Sequence, residues 1–154
     1  MTTDDLKNLV KEIVAQANSF KNTLVREDAP VNYACIFSQN AEEFNILLKV
    51  TKKLGGKVVI DTLAGPVFQI EPLPTVAGNL QLLKIRKPDD QRPERGDADF
   101  TLANYKKFKE EHLSKPGFKL IKRDNFEMIE AISPDHKVLV YFSDPPLDKQ
   151  LGII

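Results

Sequence analysis

The chain has 154 residues, of which 42% are hydrophobic and 29% charged, a composition typical of a globular domain with a buried core. Its 22 basic and 22 acidic residues cancel, so no overall field draws it to nucleic acid or anionic lipid. We therefore expect neither a nucleic-acid partner nor a membrane partner.

Cysteine use and the first residues bear on the cellular compartment. Cys35 is the only cysteine, so the chain forms no internal disulfide, and its Cys and His residues lack zinc-site spacing. The opening MTTDD has neither the basic nor the apolar region of a secretory signal. These features predict a cytoplasmic protein.

An amphipathic helix is predicted over residues 3–22. Apolar side chains recur there at three- and four-residue steps from Leu6 to Phe20. Asp4 and Asp5 stand in the first turn, where the helix dipole favours acids. The apolar stripe must be covered, either by its own domain, which is the simpler interpretation, or by a partner subunit.

A unit of one strand, one helix and three further strands is predicted over residues 31–87. The strand at 31–37 is rich in β-branched and aromatic residues. Asn40 then caps the helix, with Glu43 as the returning partner of a capping box, and Gly55-Gly56 ends it. Turn-forming Gly, Pro and Asn residues separate the strands that follow, at 57–62, 67–71 and 80–87.

The same order of elements recurs over residues 96–142, after a polar connection that contains two prolines. In both units an apolar run stops at an asparagine, Asn40 or Asn104, and gives way to a helical pattern. The repeat predicts two equivalent units within one domain, residues 1–154. The second unit is predicted to have a strand at 97–102, a helix at 104–113 and strands at 118–123, 126–132 and 137–142.

Two βαβββ units in a chain of this length resemble the vicinal oxygen chelate superfamily, which includes glyoxalases and bleomycin-resistance proteins. The resemblance covers residues 31–142 and is one of topology. It implies an α+β fold in which two units form a cupped mixed sheet. The helices then lie outside the cup and the ligand lies inside it.

The resemblance also implies metal ligands, commonly His and Glu, in the first and last strands of each unit. The first strands here carry Tyr33 and Asp97 instead, and the last strands carry Leu82 and Val140 or Tyr141. Asp97 alone is a good ligand for a hard cation, and one carboxylate does not make a divalent metal site. We therefore expect no cofactor and no metal of the family type. A divalent ion held partly by other residues is the remaining alternative.

Strand alternation divides the first strand of each unit into two faces. Small and apolar side chains share the face expected to pack under the helices: Ala34, Ile36, Ala98, Phe100 and Leu102. The opposite face, expected to line the cup, carries Tyr33, Cys35, Phe37, Asp97, Asp99 and Thr101.

Asp97 and Asp99 are the candidate catalytic residues. They stand two positions apart on the cup face, about 7 Å from each other by strand geometry. A partly buried carboxyl can hold its proton near neutral pH and act as a general acid or base. The alternative is that both aspartates pair with Arg95, Lys84 or Arg86 and only hold the sheet together, which the supply of nearby cations favours.

The candidate ligand-binding residues are Tyr33, Lys84, Arg86, Glu130 and Tyr141. Lys84 and Arg86 alternate in one strand, where they could hold a carboxylate or phosphate or could lie on a solvated rim. Glu130 lies in a strand, where exposure is the commoner fate of a glutamate. The two tyrosines could offer hydroxyl groups, although strand aromatics more often pack.

Three functions follow as hypotheses. The first is a small-molecule-binding protein whose ligand is a small polar or anionic metabolite, bound without the standard metal. The second is an enzyme of lyase, isomerase or hydrolase type that uses Asp97 or Asp99 as acid or base. The third is a structural or interaction protein, in which the N-terminal helix and the tail, residues 143–154, form a homodimer or partner contact. The tail is predicted to be irregular and to dock by its apolar end.

Overall fold

The computed structural model describes residues 1–153. In that part of the chain no helix is both long and apolar enough to cross a membrane. The elements follow in the order α1 (Thr3–Leu24), β1 (Val31–Phe37), α2 (Ala41–Lys53), β2 (Lys57–Thr62), β3 (Gly65–Thr75), β4 (Gly78–Arg86), β5 (Gly96–Phe100), α3 (Tyr105–His112), β6 (Phe118–Lys122), β7 (Glu127–Ile132), β8 (Val138–Asp144) and α4 (Leu147–Gln150).

The strands form one eight-stranded sheet in the order β2-β3-β4-β1-β5-β8-β7-β6. Each unit has the same arrangement, because its first strand pairs in parallel with its last strand and the other two continue outward in antiparallel pairing. The units meet where β1 and β5 pair antiparallel, with Ala34 opposite Ala98. The predicted paired βαβββ architecture is therefore confirmed.

The main core lies between the sheet and the helices. The apolar stripe of α1 packs against the central strands β1, β5 and β8 and buries Leu6, Val10, Ile13, Val14 and Ala17. The sheet residues predicted to face the helices belong to the same core. The stripe of α1 is thus covered by its own sheet, so a homodimer, which stays a prediction, would have to use another surface.

The opposite, concave face of the sheet carries a smaller apolar cluster. It comprises Cys35, Phe37, Leu139 and Tyr141, with Ile121, Met128 and Ile132 packed against it. Side chains on this face therefore alternate with those of the main core, as the strand pattern predicted.

Several strand ends differ from prediction because pairing with a neighbouring strand, and not local sequence, ends a strand. β3 runs to Thr75 although Pro72 and Pro74 were expected to break it, since its pairing with β4 resumes after an irregularity at the prolines. β5 ends at Phe100, two residues earlier than predicted. β8 extends to Asp144.

The helix caps follow the asparagines as predicted. Asn40 Oδ1 accepts a hydrogen bond from the Glu43 N–H at 2.8 Å, and Asn104 makes the corresponding cap of α3. The predicted capping box is wrong. The Glu43 carboxylate accepts from the Gln39 N–H at 2.9 Å and pairs with Arg95 at 2.6 Å, which links α2 to the connection between the units.

The tail contains regular structure that the sequence did not predict. Residues 147–150 form the short helix α4, and the Asp148 N–H donates to the Asn32 side-chain oxygen of β1 at 3.2 Å. Leu151 and Ile153 are half-buried, whereas Ile154 lies outside the described residues. The tail is thereby held against the centre of the sheet.

Candidate functional site

A cavity of about 200 Å³ lies between the two units on the concave face of the sheet. Strands β1 to β4 supply one side, β7 and β8 the other, and α4 the remainder. Half of the lining side chains are apolar, the usual composition of a small-molecule site in which a few polar groups orient the ligand. The lining comprises Tyr33, Ile60, Thr62, Val67, Lys84, Phe126, Met128, Ser143, Leu147 and Gln150.

Lys84 supplies the charge in this cavity. It stands on β4 between Val67 of β3 and Cys35 of β1, in register with both. Among residues 1–153 its ammonium group forms no salt bridge, and no other lining side chain is charged. An unpaired ammonium group beside an apolar wall attracts an anion more strongly than it would in open water.

Asp97 lies on the same row of the sheet, separated from Lys84 only by Cys35. Its side chain is nearly inaccessible, and Oδ1 has no hydrogen-bond partner among the described residues. Removal from water raises the pKa of Asp97 to about 7, although the positive charges of Lys84 and Arg86 act to lower it. The carboxyl group is therefore partly protonated at neutral pH.

Asp99 is fully buried beneath the cavity wall. Its Oδ2 accepts a hydrogen bond from the Ser143 hydroxyl, whereas Oδ1 has no partner in the described part of the chain. Burial raises the pKa of Asp99 well above its usual range, against the lowering effect of the Ser143 hydrogen bond. Because Ser143 lines the cavity and Asp99 does not, Asp99 is connected to a ligand there through the Ser143 hydroxyl and not by direct contact.

The predicted pairing of the two aspartates with neighbouring cations is wrong. Over residues 1–153 neither carboxylate forms a salt bridge. Arg95, the nearest cation in sequence, instead makes a two-bond contact with Glu43, at 2.6 and 3.0 Å. Arg86 pairs with Asp89, and Lys84 forms no salt bridge over the same residues.

Three predicted ligand-binding residues have partners within the protein and do not line the cavity. The Tyr141 hydroxyl donates to Glu130 Oε2 at 2.6 Å, and Arg92 of the connection lies 3.3 Å from the same oxygen. Arg86 pairs with Asp89 at 3.1 Å. A ligand-binding role for these three stays a prediction.

Tyr33 and Lys84 are the predicted residues that the fold does bring together in the cavity wall. Burial raises the pKa of Tyr33 well above its usual range, so its hydroxyl group stays protonated and can donate a hydrogen bond. The sequence interpretation missed Ser143 and the α4 residues Leu147 and Gln150, because it assigned them to an irregular tail. Continuing the alternation of β8 from Tyr141 would have placed Ser143 on the concave face.

The sequence matches no protein-family model and no curated protein. Solved structures do resemble it, among them a structural-genomics protein named EC4020, with a TM-score of 0.64 and 12% identity over 94% of this chain and 92% of that one. A glyoxalase/bleomycin resistance protein/dioxygenase superfamily member from Vibrio splendidus 12B01 has a TM-score of 0.50 and 10% identity, covering 75% of this chain and 97% of that one. Methylmalonyl-CoA epimerase from Mycobacterium tuberculosis has a TM-score of 0.46 and 11% identity, covering 78% and 91%.

The residues at the positions where the resemblance implies metal ligands are a poor set for a metal ion. Leu82 is apolar, Tyr141 is bonded to Glu130, and the strand neighbour of Asp97 is Cys35, a soft ligand beside a hard one. Among residues 1–153 no group of three or more His, Cys, Asp or Glu side chains is arranged to hold a metal. The absence of a metal stays a prediction.

At these low identities the likeness to solved structures is evidence for the fold alone. The chain therefore has the paired βαβββ fold of the glyoxalase/bleomycin-resistance superfamily, as the order of its elements predicted.

Proposed function

We propose that this protein binds a small molecule with an anionic group in the cavity between its two units. The observation that carries the proposal is Lys84, whose ammonium group lies at the cavity wall and has no salt-bridge partner among the described residues. A lysine beside buried strands that serves only the fold would be expected to pair with a carboxylate. The free cation therefore favours a ligand as its partner.

The size and lining of the cavity support a small ligand. Its volume of about 200 Å³ is below the roughly 300–1,000 Å³ of sites that hold drug-sized molecules. An anion that leaves water needs both an opposite charge and hydrogen bonds. Lys84 offers the charge, and Tyr33, Ser143 and Gln150 offer polar groups from the surrounding wall.

The variant Lys84→Met is expected to weaken ligand binding roughly 10- to 150-fold, because it removes a charge-assisted contact worth about 1.5–3 kcal/mol. The wild-type protein is first screened by thermal shift against short-chain carboxylates, their amides and inorganic phosphate, since a ligand of the native state raises apparent stability. Calorimetric titration of each hit then compares wild type and variant.

Lys87→Met is the matched control for this experiment. Lys87 is exposed, follows directly after β4 and does not line the cavity, so its replacement changes net charge equally while leaving binding intact. Equal loss of affinity in both variants, or no loss in Lys84→Met, would show that the lysine in the cavity wall does not hold the ligand.

Asp97 favours a second candidate function, acid–base catalysis. A carboxyl group with a pKa of about 7 can both donate and accept a proton at neutral pH, and Asp97 lies two strands from Lys84, with Cys35 between them. In this function Lys84 would hold the anionic group of an oxygen-rich substrate while Asp97 or Asp99 moves the proton.

Asp97→Asn is expected to reduce turnover by roughly 10²- to 10⁴-fold for any screened compound that the protein converts, because an amide cannot transfer the proton. Chromatographic analysis of substrate and product measures the rate, and circular dichroism verifies folding. Asp61→Asn, an exposed position of β2, is the control. Unchanged turnover in Asp97→Asn would reject this carboxyl group as the acid or base.

A further inference from the structure

We infer that the cavity selects an amphipathic monocarboxylate, with one anionic group at Lys84 and an unbranched hydrocarbon body against the apolar walls. This inference rests on the proposed function and specifies the class of its ligand. Three features of the cavity carry it: the number of free charges, the position of the apolar side chains relative to Lys84, and the volume.

The charges favour a single anionic group. Lys84 is the one cation in the lining, as far as the described residues go. The nearest arginines on the concave face are already paired, Arg86 with Asp89 and Arg92 with Glu130. A second anionic group in the cavity would therefore be desolvated without a partner, which is strongly unfavourable.

A buried carboxyl group adds to this selection. Asp97 lies across Cys35 from Lys84 and is almost completely removed from solvent, so the charge that it carries is little screened. That charge opposes further negative charge around Lys84. Asp99 adds no comparable repulsion, because burial raises its pKa well above its usual range and favours its neutral form.

The apolar side chains stand where a hydrocarbon body would follow the anionic group. Ile60 of β2, Val67 of β3 and Lys84 of β4 are successive partners across three strands, so Val67 lies beside the cation and Ile60 one strand further along the same row. Phe126 and Met128 form the facing wall on the second unit. Each methylene group buried between these walls strengthens binding about fourfold.

The volume limits the length of that body. About 200 Å³ is the space of roughly seven water molecules at about 30 Å³ each. A carboxylate with a chain of five or six carbons therefore fills the cavity. Longer chains would extend past the walls that Leu147 and Gln150 of α4 help to form, so their added methylene groups would gain little.

Four probes of related structure test the inference by calorimetric titration at constant ionic strength: hexanoate, acetate, hexanamide and adipate. Hexanoate is expected to bind most tightly. Acetate lacks the hydrocarbon body, hexanamide lacks the charge and adipate adds a second charge, so each is expected to bind at least about tenfold more weakly. Equal or tighter binding of hexanamide or adipate would overturn the inference.

Two variants locate the binding in this cavity. Ile60→Thr keeps a β-branched side chain on β2 and is expected to weaken hexanoate severalfold while leaving acetate unchanged, because only the hydrocarbon body loses contact. Val58→Thr, an exposed position on the same strand outside the cavity, is the control and should change neither hexanoate nor acetate binding.

Lys84→Met is expected to remove the preference for hexanoate over hexanamide. Retention of that preference would place the anion elsewhere and overturn the inference.

The results also separate this inference from the proposed function. If hexanoate does not bind but phosphate or another screened compound binds in a Lys84-dependent way, the ligand class is wrong and the proposed function stands. If no screened compound binds, both fail.

Discussion

Replacing Asp97 with Asn is expected to raise the free energy of unfolding at pH 8 by up to about 4 kcal/mol. The Asp97 carboxyl group is buried, has no salt bridge among residues 1–153 and has an Oδ1 atom without a hydrogen-bond partner. Folding therefore has to desolvate its charge. The upper value follows from a pKa of about 7 in place of 3.8, at about 1.36 kcal/mol per unit.

The gain has a defined pH dependence. Because the pKa of Asp97 is higher in the folded protein, the folded state binds more protons than the unfolded state between about pH 4 and pH 7. The wild-type protein therefore loses stability as pH rises through this window. The difference between Asp97→Asn and wild type should grow from near zero at pH 4 and level off above pH 7.

Urea denaturation of both proteins at pH 4, 5, 6, 7 and 8 measures this difference. Asp61→Asn, at an exposed position of β2, is the control for a change of one charge. Asp99 also contributes to the fall of the free energy of unfolding with pH, and the charge of Asp97 raises the pKa of Asp99 further. The free energy of unfolding of Asp97→Asn should therefore fall less steeply with pH, because the Asp97 contribution is lost and the Asp99 contribution is reduced. A pH-independent difference would mean that Asp97 carries no buried charge.

The stability result bears on function. A buried carboxylate that lowers stability at neutral pH, in a protein that could carry Asn instead, indicates a role for which the carboxyl group is needed. Combined loss of turnover and gain of stability in Asp97→Asn would identify that role as catalysis. Gain of stability with tighter monoanion binding would instead show that the carboxyl group opposes the anion at Lys84.

The variant Gly65→Ala is expected to lower the free energy of unfolding by about 2–6 kcal/mol. Gly65 begins β3 with φ +144°, a conformation that residues with a side chain rarely adopt, at a cost of about 1–3 kcal/mol. An added Cβ would also overlap the Ile85 carbonyl oxygen of β4, and the backbone shift that relieves such an overlap costs about 1–3 kcal/mol more.

Gly117→Ala separates the two causes. Gly117 has φ +88°, but no atom lies within 4 Å of an added Cβ, so only the conformational cost applies. Urea denaturation should therefore show a clearly smaller loss than for Gly65→Ala, and equal losses would argue against the overlap. The β2–β3 hairpin that would shift also carries Ile60 and Val67, so Gly65→Ala should weaken ligand binding in the cavity.

Features that depend on residues close in sequence could be predicted. The caps at Asn40 and Asn104 follow from side chains that reach a backbone N–H three residues away. The two faces of β1 and β5 follow from strand alternation, which placed Tyr33, Asp97 and Asp99 on the concave side. The repeat of these local patterns was sufficient to predict the paired fold.

The partners of the charged side chains were decided by the tertiary structure. Arg95 pairs with Glu43, and Arg92 with Glu130, across 52 and 38 residues of sequence. No local pattern distinguishes these pairs from the predicted ones with Asp97 and Asp99, because attraction between charges depends on distance in space and on burial.

The sequence by itself thus determined the order of elements, the duplication and the orientation of the strand side chains, because hydrogen bonds and alternation act over a few residues. The fold alone decided that Lys84 is left free, that Asp97 is buried without a partner and that α4 lies over the sheet. These properties arise when strands distant in the chain become neighbours and exclude water, and they are the ones on which the candidate site depends.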